Sequence, residues 1–325
     1  MATVSRALRT PEKVTPHTRE QVLAAVRALD YRPNLLARNF RSRRSFAVVV
    51  LVPNIANPFF STVVRGIEQV AQQNGYAVLL GDTQGSAERE NEYLGLVASN
   101  QADGIIQLSA RLDQKALRKA WRKSGTPAIV NACECVDDAF CPTVRIDNAG
   151  AAQRMTEHLL SLGHRRIVAV LGPAGSPLTR DRLNGYRAAL RAAGIAREPA
   201  LEIPGDFSLQ SGSEAARRIV ALKRAPTAAF CFNDEMAMGV LHGLGEAGIA
   251  VPQQMSVAGF DDIEFARFAS PPLTTMSQPM KQIGETAMRA LLDLMNGKRL
   301  APMQHVLQGE LIVRESTAAP GSNAS

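Results

Sequence analysis

Phe46-Ala-Val-Val-Val-Leu-Val-Pro53 and Arg166-Ile-Val-Ala-Val-Leu-Gly-Pro173 look alike at a separation of about 120 residues. Each is a short aliphatic run without polar alternation, closed by proline. Such a run suits a strand buried on both faces, the condition of a parallel sheet with helices packed on either side. Its recurrence predicts two similar halves. Working outward from 46, apolar strands alternate with amphipathic helices: strand 46–52, helix 59–74, strand 76–80, helix 86–100, strand 104–108, helix 114–123, and strands 127–130 and 143–146. The rhythm then restarts with helix 149–162, strand 166–171, helices 180–193 and 209–222, strand 227–232, helix 235–247 and strand 256–260. The expected fold is α/β: a two-lobed body of parallel doubly wound sheets, carrying a small all-α head at its N-terminus. Open α/β sheets bind ligands beyond the carboxyl ends of their strands, so the polar and aromatic residues just after those strands are candidates.

The charge lies unevenly along the chain. Residues 1–45 hold ten Lys/Arg against three Asp/Glu, and the remaining 280 residues hold 27 of each, so the whole net charge of +7 sits in the head. A basic segment on a neutral body points to a module that binds a polyanion. No apolar run approaches the roughly 20 residues that cross a bilayer, and charges run through the first thirty positions, which predicts a cytoplasmic protein with no membrane partner. Four cysteines in 325 residues make a disulfide framework unexpected. Cys133, Cys135 and Cys141 cluster beside Asp137 and Asp138, but the spacing fits no zinc site and there is no second Cys or His pair, so neither metal nor cofactor is expected.

The head has helical pattern. Val4, Ala7 and Leu8 fall at i, i+3 and i+4, and Pro11 stops that helix. Thr15 is placed to cap a second helix with Pro16 at its first position, and Val22, Val26 and Leu29 form its stripe. Two such short helices bury little surface. A short helix-capable, Arg-rich segment then joins the head to the first core strand.

Ala2-Thr-Val-Ser-Arg-Ala-Leu8, Val14-Thr-Pro-His-Thr-Arg-Glu20, Tyr31-Arg-Pro-Asn34 and Ala37-Arg38, in this order and ahead of a two-lobed α/β body, resemble the lactose-repressor family. The resemblance runs from Met1 to about Thr317. Phe59-Phe-Ser-Thr-Val-Val-Arg-Gly-Ile-Glu68, Gly75-Tyr-Ala-Val-Leu-Leu-Gly-Asp82, Arg182-Leu-Asn-Gly-Tyr186, Gly205-Asp-Phe207 and Pro271-Pro-Leu-Thr-Thr275 are similar to its cytidine-responsive subgroup. The family implies a transcriptional repressor, a homodimer on palindromic double-stranded DNA, whose operator binding is controlled by a small molecule between the lobes.

By that resemblance, residues 2–8 match the recognition helix of a helix-turn-helix head. Ala2 and Arg6 stand at base-reading positions, with Thr3 and Ser5 near the phosphates, and arginine is suited to a bidentate contact with guanine. Met1, also at a recognition position, is the initiator and not expected to read a base. The helix that precedes the recognition helix in the family has no counterpart before Met1, so 1–32 is expected to be a partial head, through either a start codon further upstream, the preferred explanation, or a real truncation. Residues 33–45 match the hinge helix and linker. There Asn34, Ala37, Arg38, Phe40 and Arg41 would face DNA, with Phe40 standing where most members place a leucine wedge in the minor groove. The body is expected to divide into an N-lobe, 46–146 plus 278–304, and a C-lobe, 147–277 plus 305–317, with 318–325 a disordered tail.

The resemblance also implies the effector site, through a likeness to the ribose-binding member of the periplasmic sugar-binding fold. Asn57, Phe59, Phe60, Arg182, Phe207, Asn233, Asp261 and Gln278 match it, with Asp147 as a supporting acceptor. Rings can cover the weakly polar faces of a furanose, while Asp, Arg, Asn and Gln meet its rim of hydroxyls. A pentose or nucleoside is therefore the expected effector. Two other functions account for less of the chain. Gly243-Leu-Gly-Glu-Ala-Gly248 spells a dinucleotide fingerprint, but it follows a helix where the fingerprint must follow a strand; His158 and His164 have no nucleophile placed beside them, so an enzyme is not expected. A periplasmic-type pentose-binding protein without DNA contact needs a secretory leader and leaves the basic head unexplained.

Overall fold

The computed structural model describes residues 2–9, 11–29, 44–109, 128–134, 141–298 and 303–321. The hinge positions Asn34, Ala37, Arg38, Phe40 and Arg41, the expected helix 114–123, and Cys135 with Asp137 and Asp138 lie outside the described residues. The chain forms two compact units, Met1–Ser45 and Phe46–Ser325.

Among the described residues the head carries α1, Ala2–Arg9, a 3₁₀ turn, Pro11–Lys13, and α2, Pro16–Ala28. Proline fits the start of α2, where an amide proton would have no partner, and the Thr15 hydroxyl accepts from the Thr18 amide at 3.3 Å. Ala7 is buried, whereas Val4 and Leu29 are 38% and 76% exposed and α2 buries no residue. Of the expected stripe, Val22 and Val26 are half-buried and Leu29 is exposed among the described residues.

Among the described residues the body holds two six-stranded sheets. The first contains β1 (Ala47–Val52), β2 (Ala77–Asp82), β3 (Gly104–Gln107), β4 (Ala128–Ala132), β5 (Thr143–Ile146) and, late in the chain, β11 (Gln304–Leu307). Its order is β11-β5-β4-β3-β1-β2, parallel throughout. The second contains β6 (Ile167–Val170), β7 (Glu202–Ile203), β8 (Ala228–Cys231), β9 (Ser256–Asp261), β10 (Thr274–Ser277) and β12 (Leu311–Ile312), in the order β12-β10-β9-β8-β6-β7. Every pairing in it is parallel except the short edge strand β12, which runs antiparallel to β10, a departure from the expected all-parallel sheets. The matching runs that form β1 and β6 occupy corresponding inner positions. Their side chains are buried because helices cover both faces.

The chain crosses between sheets three times: after β5, after β10 and between β11 and β12. The last crossing follows Leu307, because β11 completes the first sheet beside β5 before the chain returns, slightly later than the expected boundary at 304. The ordered chain also outlasts its expected end at 317. Ala318 donates its amide to Ser256 Oγ at 3.0 Å, and its carbonyl accepts from the same hydroxyl at 3.0 Å and lies 2.9 Å from His164 Nε2.

Helices pair closely across the sheet faces. In α3 (Pro58–Gln73) and α9 (Met280–Met295), Gly66 and Gly284 let the backbones touch: a Cβ on either would overlap a carbonyl oxygen of the other helix, that of Lys281 or Val63. This contact seats α3, and with it the residues at its N-terminus, against the first sheet.

Candidate functional site

The residues that follow the strand ends and cap the next helices converge on a cavity of about 860 Å³, within the range of small-molecule sites. From the first-sheet side it takes Asn57, Phe59 and Phe60 at the start of α3, Asp82 at the end of β2, and Glu134 after β4. From the second it takes Ser176, which caps α6 (Pro177–Ala192), Arg182 on that helix, Asp206 and Phe207 ahead of α7 (Leu209–Val220), Asn233 and Glu235 at α8 (Asp234–Glu246), and Asp261 at the end of β9. Gln278 comes from the crossing after β10.

Asn57 caps α3, its side-chain carbonyl accepting from the Phe59 amide at 2.8 Å. Its other end reaches across the cavity, where Nδ2 donates to Glu235 Oε2 at 2.7 Å. Asn233 works in the same way on α8: Oδ1 accepts from the Met236 amide at 3.0 Å, and Nδ2 donates to the Phe207 carbonyl at 2.9 Å. Phe207 sits at φ +72°, a conformation that costs a side-chain-bearing residue about 1–3 kcal/mol and is retained when its surroundings fix it. Gly172 is part of that fixing, since a Cβ there would overlap the Phe207 ring. Phe59 and Phe60 meet edge to face with centroids 5.1 Å apart, Phe59 buried and Phe60 half-buried.

Arg182 is 2% exposed. Its Nε donates to Asn148 Oδ1 at 2.9 Å, Nη1 donates to the Phe232 carbonyl, and Nη2 stands 3.6 Å from Asp261 Oδ1. The guanidinium centre lies 3.7 Å from the centroid of the Phe260 ring and 6.0 Å from that of Phe207. Burial pulls its proton affinity down and the Asp261 carboxylate pulls it back up. Gln278 Nε2 donates to Asp261 Oδ1 at 2.7 Å. Burial pushes the Asp261 carboxyl up to about 6 against the opposing pull of Arg182 and Gln278, and burial together with the Asp261 charge pushes Glu235 up to about 7. Asp234 is held well above the usual carboxylate range by burial. Its oxygens accept from the Ile263 amide at 2.9 Å and the Thr275 hydroxyl at 2.6 Å, so it braces the loop after β9.

Eight of the nine residues expected at the cleft, Asn57, Phe59, Phe60, Arg182, Phe207, Asn233, Asp261 and Gln278, line this one cavity. Asp147 does not. It is exposed and caps α5 (Asn148–Ser161) through the Gly150 amide at 2.9 Å; a carboxylate just before a helix is drawn to its unpaired amides, and its neighbour Asn148 is the residue that orients Arg182. The acids Asp82, Glu134, Asp206 and Glu235 line the cavity as well, although no site was expected at them from the sequence. Glu235 stands in the first turn of a helix, where an acid is expected for its effect on the dipole alone.

In the head, Thr3 and Arg6 are exposed on α1, and Ala2 and Ser5 lie within the same helix. No described helix is long and apolar enough to cross a membrane.

Residues 1–34 match the family described as bacterial regulatory proteins, lacI family, and residues 156–317 match the periplasmic binding protein-like domain. The chain is 41% identical over 98% of its length to the HTH-type transcriptional repressor CytR of Escherichia coli K12, spanning 93% of that protein. It is 34% identical over 97% of its length to the HTH-type transcriptional repressor PurR of Photobacterium profundum, spanning 94% of it. Among solved structures, the lac repressor dimer bound to operator and an anti-inducer superposes with a TM-score of 0.87 at 28% identity, covering 98% of this chain and 95% of that one. A LacI family regulator from Enterococcus faecium with bound ribose superposes at 0.75 with 30% identity, covering 84% and 99%.

Proposed function

Because this chain belongs to the lactose-repressor family of bacterial transcriptional regulators, we propose that it is a repressor whose hold on a palindromic operator is set by a free pentose or a nucleoside bound in the cleft. The convergence of Phe60 and Phe207 with Asp261, Arg182, Asn233 and Gln278 on one cavity carries this reading. Aromatic faces lie beside directional polar groups, the combination that a ring with a hydroxyl rim requires. That a family relative was solved with ribose bound supports a pentose.

On the DNA side, Arg6 reads a base from the major groove with Ala2 beside it, while Thr3 and Ser5 hold phosphate oxygens. Asn34, Ala37, Arg38, Phe40 and Arg41 form the hinge contacts, with Phe40 as the minor-groove wedge. The protein works in the cytoplasm as a two-fold homodimer, matching the symmetry of its operator. The two halves of the body act as lobes whose relative angle the effector sets.

Calorimetry on the full chain with ribose, cytidine, adenosine, uridine and glucose tests the effector class. Saturable heat from at least one of the first four is expected. Heat from glucose alone overturns the pentose and nucleoside reading.

A further inference from the structure

Five carboxyl groups line the cleft, those of Asp82, Glu134, Asp206, Glu235 and Asp261, and among the described residues Arg182 is the one basic side chain facing them. Arg182 is already engaged, by the Asn148 amide oxygen, the Phe232 carbonyl and Asp261. Its burial against the Phe260 ring leaves little of it to meet a second anion. Asp206 and Asp82 are held by backbone amides, through Ser208 at 2.9 Å and Ile55 at 3.3 Å, so each is oriented by donors that leave its charge in place. We propose that the cleft admits an uncharged ligand and rejects the phosphorylated form of the same compound, with Glu235 and Asp206 as specificity-determining residues.

A phosphate dianion entering this cavity meets like charge from several directions at short range, in a site partly shielded from water. Such juxtaposition costs enough to weaken binding at least about 100-fold. Glu235 is pushed up to about 7, by burial first and by the neighbouring Asp261 charge second, so its share of the repulsion grows as pH rises through neutrality. Neutral hydroxyls and amino groups gain in that field, because carboxylates are strong acceptors for O–H and N–H donors. The signal read is then the compound as it stands before a phosphorylating step or after a phosphate has been removed.

This inference rests on the cleft being the effector site, and the experiment separates the two. Calorimetry on the full chain compares ribose with ribose 5-phosphate and cytidine with cytidine 5′-monophosphate. Binding of at least one unphosphorylated compound, with its phosphorylated partner at least about 100-fold weaker, is expected. The same ratio in D206N/E235Q should narrow several-fold, and an unchanged ratio in a variant that still binds the neutral compound overturns the assignment to these two acids. If that variant does not fold, the wild-type ratio decides. A phosphorylated compound that binds as tightly as its partner, or more tightly, overturns the proposal and leaves the effector site standing. Absence of binding by ribose, cytidine, adenosine and uridine alike overturns both.

Discussion

Asp261 and Arg182 are both taken out of water, at 6% and 2% exposure, and a charge in that position is tolerated only with its partners in place. Gln278 and Arg182 serve Asp261; Asn148, Phe232 and the Phe260 ring serve Arg182. Removing the acid leaves a buried guanidinium short of its counter-charge, so D261A should lose about 3–5 kcal/mol of stability in a denaturant melt, and R182M/D261A should recover part of that loss. If D261A melts like the wild type, this pair does not anchor the site. Glu235 gives a pH dependence. Its carboxyl titrates at about 7 in the folded chain and near the ordinary glutamate value of about 4.3 when unfolded. Between those values the folded state holds the proton more tightly, so this group's effect on stability improves as pH falls from 8 towards 5 and is lost as pH rises through 7. Thermal melts across that range should show the wild type gaining on E235Q as pH falls; parallel profiles would contradict the burial of this carboxyl. Asn57, Phe59, Phe60 and Asn233 follow strand ends that the sequence pattern marks, whereas Phe207 and Gln278 follow β7 and β10 and come into view only through the family resemblance. Glu235 and Asn148 do not stand out, because acids and amides at helix starts are ordinary caps, and only packing brings these two to bear on Asn57 and Arg182.

Strands and helices were legible in the sequence wherever burial imposes a clear period. The aliphatic runs at β1, β6 and β8 are buried on both faces, and the capped helices starting at Pro58, Pro177 and Leu209 carry their own start signals. Short or edge elements were not: β7 and β12 are two residues each, and β11 alternates exposed and half-buried side chains at the margin of its sheet. α9 has a regular stripe through Ile283, Ala287, Met288 and Leu291, but lacks a side-chain cap and lies past the last strand that the repeating pattern reaches. Its contact with α3 depends on two glycines that no periodicity marks. A methyl group at 284 must displace the backbone around Val63, so G284A should cost about 1–3 kcal/mol and lower the thermal midpoint by several degrees. An unchanged midpoint would show that the helices can separate without loss.

At the scale of the whole molecule, a basic head and a charge-balanced body divide the work. The head supplies attraction for DNA that falls steeply with salt, and the body supplies a cleft whose occupancy must alter that attraction. The sequence displayed this division through its charge alone, whereas the three crossings that make the body one unit were expected only through the family resemblance, because β11 is a half-exposed edge strand and β12 has two residues. Coupling between cleft and head is reciprocal: whatever factor the effector imposes on operator affinity, the operator imposes on effector affinity. The central claim is that one chain holds both sites and links them. Its most direct test is fluorescence anisotropy of labelled DNA from the region upstream of the neighbouring genes, titrated with the full-length protein at fixed salt, with and without saturating ribose or cytidine. The account predicts an operator affinity that shifts by about 5–150-fold, in either direction, with whichever compound calorimetry finds bound. An affinity that stays the same when that compound fills the cleft would contradict it.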